Sequence, residues 1–155
     1  MTVKQADPAL DFLNSYWELK MEERRTERKI EELDAQCKSM TARMTGMPRG
    51  GGGDYNAAWD ALIDAKDKAN DTVIQAIQQA KEIERFIDCL NGPLLRQVLR
   101  GKYLELRTLE QIAAELKYSE RHVSRLHGQA LQEARRKWAE IHPGDYSQTG
   151  GYQDV

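Results

Sequence analysis

The sequence predicts an all-α protein: a long antiparallel helical hairpin, coiled-coil-like, followed by a C-terminal helix-turn-helix domain. Three observations carry that prediction. Two stretches of about 35 residues, one on each side of the glycine run in TGMPRGGGGD, repeat apolar positions at alternating steps of three and four. Two shorter periodic segments follow within 108–138, each opened by its own capping residue. The chain is also 31% charged, with a mean hydropathy of -0.74, so apolar surface is used sparingly, which suits thin helical layers better than one large core.

Asp7-Pro8 reads as the start of the first helix, because Asp caps and Pro fits the first helical position. Phe12, Tyr16, Leu19, Glu23, Thr26, Ile30, Leu33, Cys37, Met40 and Met44 then hold one register, a narrow heptad seam that Glu23 and Thr26 weaken in the middle. Around them EERRTERKIEELD is charged, as a solvated helix face should be. Four consecutive glycines, 50–53, carry too large an ordering entropy to extend a helix cheaply. A phosphate-cradling loop would need a preceding strand and a following Lys-Ser or Lys-Thr; neither is present, so 45–54 reads as a flexible hairpin loop.

Asp54 is the expected cap of the second helix, along which Trp59, Leu62, Ala69, Val73, Ala76, Ala80, Ile83, Ile87 and Leu90 recur, with Lys66 the misfit. Matched arms of roughly 50 Å imply an antiparallel hairpin over 7–91. Cys37 then lies opposite the region of Leu62 and far from Cys89, which argues against an intrachain disulfide. Asn91-Gly92-Pro93 stops the arm and starts the next helix.

PLLRQVLRGKYLE reads as a helix burying Leu95, Val98, Leu99 and Leu104. Arg107 falls in a tight turn, and Thr108 with Gln111 makes a capping box that opens a helix ending near Leu116. Ser119 caps the last helix, expected to run to about Trp138. The helix-turn-helix domain therefore spans 92–140. Pro143-Gly144 ends it, and 141–155 has too few apolar residues to fold alone, so it is expected to be a flexible tail.

A net charge of -2 conceals a division. Residues 93–138 carry 10 Lys and Arg against 5 Asp and Glu, whereas 1–92 carry 13 against 17. A basic segment inside an acidic chain points to where a polyanion would dock. No apolar run is long enough to span a membrane, and MTVKQADPAL lacks the pattern of a signal peptide. The two cysteines make no metal-ligand spacing, so a reduced, cytoplasmic protein is expected.

The chemistry concentrates in LEQIAAELKYSERHVSRLHGQAL, residues 109–131. Leu109, Ile112, Ala113, Leu116, Tyr118, Val123, Leu126, Ala130 and Leu131 fall where two crossing helices would bury them. That leaves 120, 121, 124, 125 and 128 as the outer stripe of the second helix, whose N-terminal end is the part that enters a DNA major groove in this motif. Glu120, Arg121, Ser124 and Arg125 are the candidate base-contacting residues. Arg121 and Arg125 lie one turn apart, within reach of base edges or adjacent phosphates, and Glu120 either accepts from cytosine or favours the helix N-terminus. Gly128 continues this face and would permit close backbone approach.

Arg100, Lys102, Arg107, Thr108 and Lys117 are the candidate phosphate contacts, helped by free amides at 108–110. Arg135, Arg136 and Lys137 extend the basic character or simply solvate a helix end. Against these stands the bland alternative: helical triads recur in proteins that never touch DNA, and arginines are ordinary surface residues. His122 and His127 have no carboxylate or thiol at ligand spacing, so no metal or other cofactor is expected. No nucleophile–base pair or paired catalytic carboxylates stand out, and no enzymatic activity is expected.

RTLEQIAAELKYSERHVSRLHGQALQEAR resembles, without gaps, the DNA-binding region four of bacterial primary sigma factors, and LLRQVLRGKYLE resembles the helix preceding it. The resemblance implies that Glu120, Arg121, Ser124 and Arg125 occupy the positions that read the promoter -35 element. Ser124 stands where a long basic side chain is usual, Glu120 and Arg121 do not repeat the usual basic-then-acidic order, and Leu106 and Lys117 sit where turn glycine is common. The -35 consensus is accordingly not carried over as the target. A wider likeness, through the helical N-terminal half, the loop and the pattern YLE…IA…YS…HV…RLH…AL, is to ArpU- and RinA-type regulators encoded by phages and prophages of Gram-positive bacteria.

That likeness implies a sequence-specific DNA-binding transcription regulator, an activator of phage late genes working with host RNA polymerase on double-stranded DNA. The seam itself points to a homo-oligomer, a dimer, formed through the hairpin, since a lone hairpin buries one stripe while Ile63, Ile74 and Ile77 form a second apolar row. Two alternatives stay open: a DNA-packaging protein like a terminase small subunit, and a helical adaptor that binds protein and never DNA.

Overall fold

The computed structural model describes residues 6–44 and 52–145. Within them run α1 (Pro8–Met44), α2 (Gly52–Asp88), α3 (Pro93–Leu99), a π-helical turn (Arg100–Leu104), α4 (Leu109–Leu116) and α5 (Glu120–Ile141). No strand occurs among the described residues, and the order of two long helices followed by a helix-turn-helix is the one the sequence predicts. Most of the Gly-rich loop, with Met47, and the end of the tail lie outside the described residues.

Asp7 opens α1 as expected: its Oδ1 accepts from the Leu10 amide at 3.3 Å, and its carbonyl from Asp11 at 2.9 Å. α2 begins at Gly52, so Asp54 lies inside the helix and not at its cap. The helix thus starts three residues before the expected position, and takes in the end of the glycine run.

By its contacts the chain divides into two units, one of Met1–Trp17 with Gln79–Val155 and the other Glu18–Gln78, and both α1 and α2 contribute to each. The boundary expected at 91/92 therefore falls inside a unit. The physical reason is an apolar cluster in which Leu13 from α1, Ile83, Phe86 and Ile87 from α2, and Leu90 from the turn after it share a core with Leu99, Tyr103, Ala130 and Ala134. Phe12, Phe86 and Trp138 meet as an aromatic group, with ring centroids 4.9–5.6 Å apart. Arg135 pairs with Asp7 at 2.7 Å, and the Gln79 amide donates to Ser15 Oγ at 2.8 Å.

In the unit Glu18–Gln78 the two helices are antiparallel: Leu33 and Cys37 cluster with Ala58 and Leu62, while Glu22 pairs with Lys68. From Leu19 to Met40 the α1 seam is as expected, Thr26 included, and the side chain of Met44 lies outside what is described; the buried Thr26 hydroxyl donates to the Glu22 carbonyl at 2.9 Å, which removes the cost of burying it. The α2 seam departs from expectation. Ala58, Ala65, Thr72 and Ala76 turn inward while Trp59, Lys66 and Val73 face out, so the inward row lies one residue before the expected one at three places. Small residues let the helices approach closely, and the buried Thr72 hydroxyl, like that of Thr26, bonds a carbonyl one turn back, that of Lys68. Cys37 is buried in this seam beside Leu62 and Cys89 is exposed; both are free thiols.

Candidate nucleic-acid interface

The site is assembled by four short pieces of backbone. Pro93 opens α3 after Gly92, which takes φ 96, a conformation natural to glycine. The Arg96 guanidinium returns to cap the Leu90 carbonyl at 2.7 Å. At Arg100 the helix widens into a π turn, closed by the Glu105 amide on the Arg100 carbonyl at 2.9 Å. The single long helix expected for PLLRQVLRGKYLE is thus an α-helix followed by a wider turn. Gly101 in that turn packs against α4, where an added Cβ would stand 3.0 Å from Ile112 Cγ1. Leu106 then takes φ 55 to redirect the chain.

α4 opens with the expected capping box: Thr108 Oγ1 accepts from the Gln111 amide at 3.2 Å, and Gln111 Oε1 from the Thr108 amide at 3.0 Å. The Thr108 amide is therefore already used, which leaves those of Leu109 and Glu110 among the expected phosphate-binding amides. The helix ends at Lys117, which takes φ 59, while the Tyr118 amide reaches the Ala113 carbonyl at 3.0 Å. This is the left-handed stop that usually falls to glycine. Ser119 then caps α5, accepting from the His122 amide at 3.2 Å.

Ile112 and Ala113 of α4 meet Val123 and Leu126 of α5 over Val98 of α3 in one buried cluster. Tyr118 does not join them: it is 44% exposed and lies edge-on to His122, with centroids 4.9 Å apart. Its place just after the left-handed Lys117 turns it outward, which corrects the expectation of burial. It adds an exposed aromatic beside the stripe, for which the left-handed turn was the available signal. Leu109 and Leu131 are half-buried.

Glu120, Arg121, Ser124, Arg125 and Gly128 are all exposed on α5. The basic residues of this helix fall into two groups. Toward its C-terminal end Arg135 pairs with Asp7, Arg136 with Glu133 and Glu140, and Lys137 with Glu140. Arg121 and Arg125, toward its N-terminal end, make no ion pair among the described residues. Elsewhere on the module Arg100 pairs with Asp88, and Arg107 is held between Glu105, at 3.1 Å, and Glu115. A phosphate would have to compete with those carboxylates, whereas Lys102 and Lys117 carry no such pair among the described residues.

Behind the stripe, the Tyr103 hydroxyl and His127 Nε2 lie 2.9 Å apart, tying the π turn to α5. Burial pushes the Tyr103 phenol up to about 12, so it remains protonated. Burial, with Lys102 and Arg135 nearby, holds the His127 imidazole below its ordinary value. No grouping of three His, Cys, Asp or Glu among the described residues would hold a metal ion, and no described helix is long and apolar enough to cross a membrane.

Residues 92–136, from the start of α3 to Arg136 of α5, match the family model Sigma-70, region 4. No curated protein and no solved structure matches the chain. The match covers the helix-turn-helix and supports DNA-binding transcription regulation in general.

Proposed function

We propose that this protein is a sequence-specific DNA-binding transcription regulator, an activator of phage late genes that acts near the promoter with host RNA polymerase. The observation that carries the DNA-reading role is the contrast along α5. Arg121 and Arg125 stand exposed and, among the described residues, without an ion pair where the motif meets bases, while the basic residues toward the other end are neutralised within the chain. Glu120 and Ser124 complete the base-facing row, with Lys102, Lys117 and Thr108 on phosphates and Arg100 and Arg107 joining on exchange of their carboxylates. The sigma region-four match at 92–136 supports a site near the promoter, and the phage association rests on the resemblance of the longer sequence pattern. The remainder of α1 and α2 serves association, with a second copy or with the polymerase.

The test is selection of a duplex from a randomised pool, followed by binding measurements from about 50 to 200 mM salt beside the double variant Arg121→Ala/Arg125→Ala. Affinity for the selected duplex should fall steeply with salt and drop by two to three orders of magnitude in the variant, at about 1–3 kcal/mol per bidentate base contact. Selection of no sequence, or a variant that binds like the parent, would sink the proposal.

A further inference from the structure

We infer that the outer face of α2 within the unit Glu18–Gln78 binds a second copy of this chain, α2 against α2 and antiparallel, with the two-fold axis beside Asn70. The inference rests on the self-association part of the reading above and not on DNA binding.

Ile63, Ile74 and Ile77 are 55%, 53% and 52% exposed, while the side turned toward α1 is made of Ala58, Ala65, Thr72 and Ala76 with Leu62 as its one large side chain. A lone hairpin would place its isoleucines inside; here the three of α2 in this unit are outside, in a row that monomers rarely leave to water. The outer face of α1 offers no counterpart, since Arg24, Glu27, Arg28 and Glu31 are exposed there. A second α2 is the apolar surface of matching kind.

Three positions of the row also read the same in both directions, while Ile74 falls level with the second copy's Lys66. Ile63, Asn70 and Ile77 are seven residues apart and share one stripe. A two-fold interface requires that if one residue meets another, the reverse contact also forms. Reversing α2 about Asn70 sets Ile63 level with the second copy's Ile77, and Ile77 level with its Ile63. The two Asn70 side chains then face each other, and an amide that both donates and accepts pairs with its own copy. One polar position in an apolar seam fixes register.

Charge selects the direction. Asp60, Asp64, Asp67 and Asp71 precede TVIQAIQ, residues 72–78, which carries no charge. A parallel partner would set each of the four carboxylates level with its own copy. An antiparallel partner sets them beside uncharged residues, so the repulsion is relieved.

The test uses the full chain without DNA, so its failure leaves the DNA-reading proposal standing. Sedimentation velocity should show a dimer for the parent and a monomer for Ile74→Glu/Ile77→Glu at the same concentration, with helicity by circular dichroism unchanged. In a Cys89→Ser background, Asn70→Cys should form a covalent dimer on mild oxidation and Ile63→Cys should not. A monomeric parent, a dimeric double variant, or Ile63→Cys cross-linking as readily as Asn70→Cys would overturn the interface; the last result would mean parallel pairing.

Discussion

The two units of the chain place the isoleucines of α2 on opposite sides. In Met1–Trp17 with Gln79–Val155, Leu13, Ile83, Phe86, Ile87 and Leu90 point inward and lie among aromatic rings. In Glu18–Gln78 the inward row of α2 is mostly alanine and threonine, with Leu62 its one large side chain, and Ile63, Ile74 and Ile77 point to water. The first arrangement completes itself. The second leaves its apolar surface for something else to cover. A helix that passes through both units, as α2 does, thus changes its packing logic along its length without a break in its backbone.

The sharpest test of that contrast compares two isoleucines of α2. Ile87→Ala, fully buried, should cost about 2–5 kcal/mol in denaturant unfolding, because it leaves a cavity. Ile77→Ala, half exposed, should change the stability of the dilute monomer by no more than about 0.5 kcal/mol. Equal costs would break the comparison. The glycines give the next effect. Gly101→Ala should destabilise by about 1–3 kcal/mol in the same assay, since Ile112 is itself packed and has little room to yield. Gly128→Ala, with nothing within 4 Å of an added Cβ, should stabilise the free protein by about 1 kcal/mol through helix propensity. If DNA approaches the backbone there, the same variant should bind DNA more weakly.

Smaller again is Lys117→Gly, which should raise the thermal midpoint by relieving a left-handed conformation that costs a non-glycine residue about 1 kcal/mol. Last comes pH. His127 is held below its ordinary value, so on acidification the unfolded chain takes up its proton first. Stability should be full above the ordinary histidine range and fall as pH drops toward the folded value. His127→Gln should flatten that slope, as read from denaturation midpoints at pH values between about 7 and 5.

What was legible in the sequence was chiefly local. The capping box of Thr108 and Gln111 and the Ser119 cap involve neighbours three residues apart, and each stands where the pattern puts it. The outer stripe of α5 was legible because Val123 and Leu126 fix which side is in. Less legible was anything set by a distant partner. On α2 the large side chains suggested a seam through Trp59 and Val73, but packing against α1 selected small residues instead. Phe12, Phe86 and Trp138 lie far apart in sequence, and nothing local announced that they would join the helix-turn-helix to the ends of both long helices. Nor did spacing reveal that Arg100 and Arg107 would be occupied by carboxylates.

The two thiols carry a consequence of their own. Cys37 is sealed in the seam of one unit, and Cys89 stands open to water in the other. A thiol reagent should therefore label Cys89 at once and Cys37 only in moments when the helices part, so the slow phase times local opening in a single unit of the unmodified chain. The protein thus has a native stopwatch: whatever covers the hairpin should slow the second label and leave the first untouched.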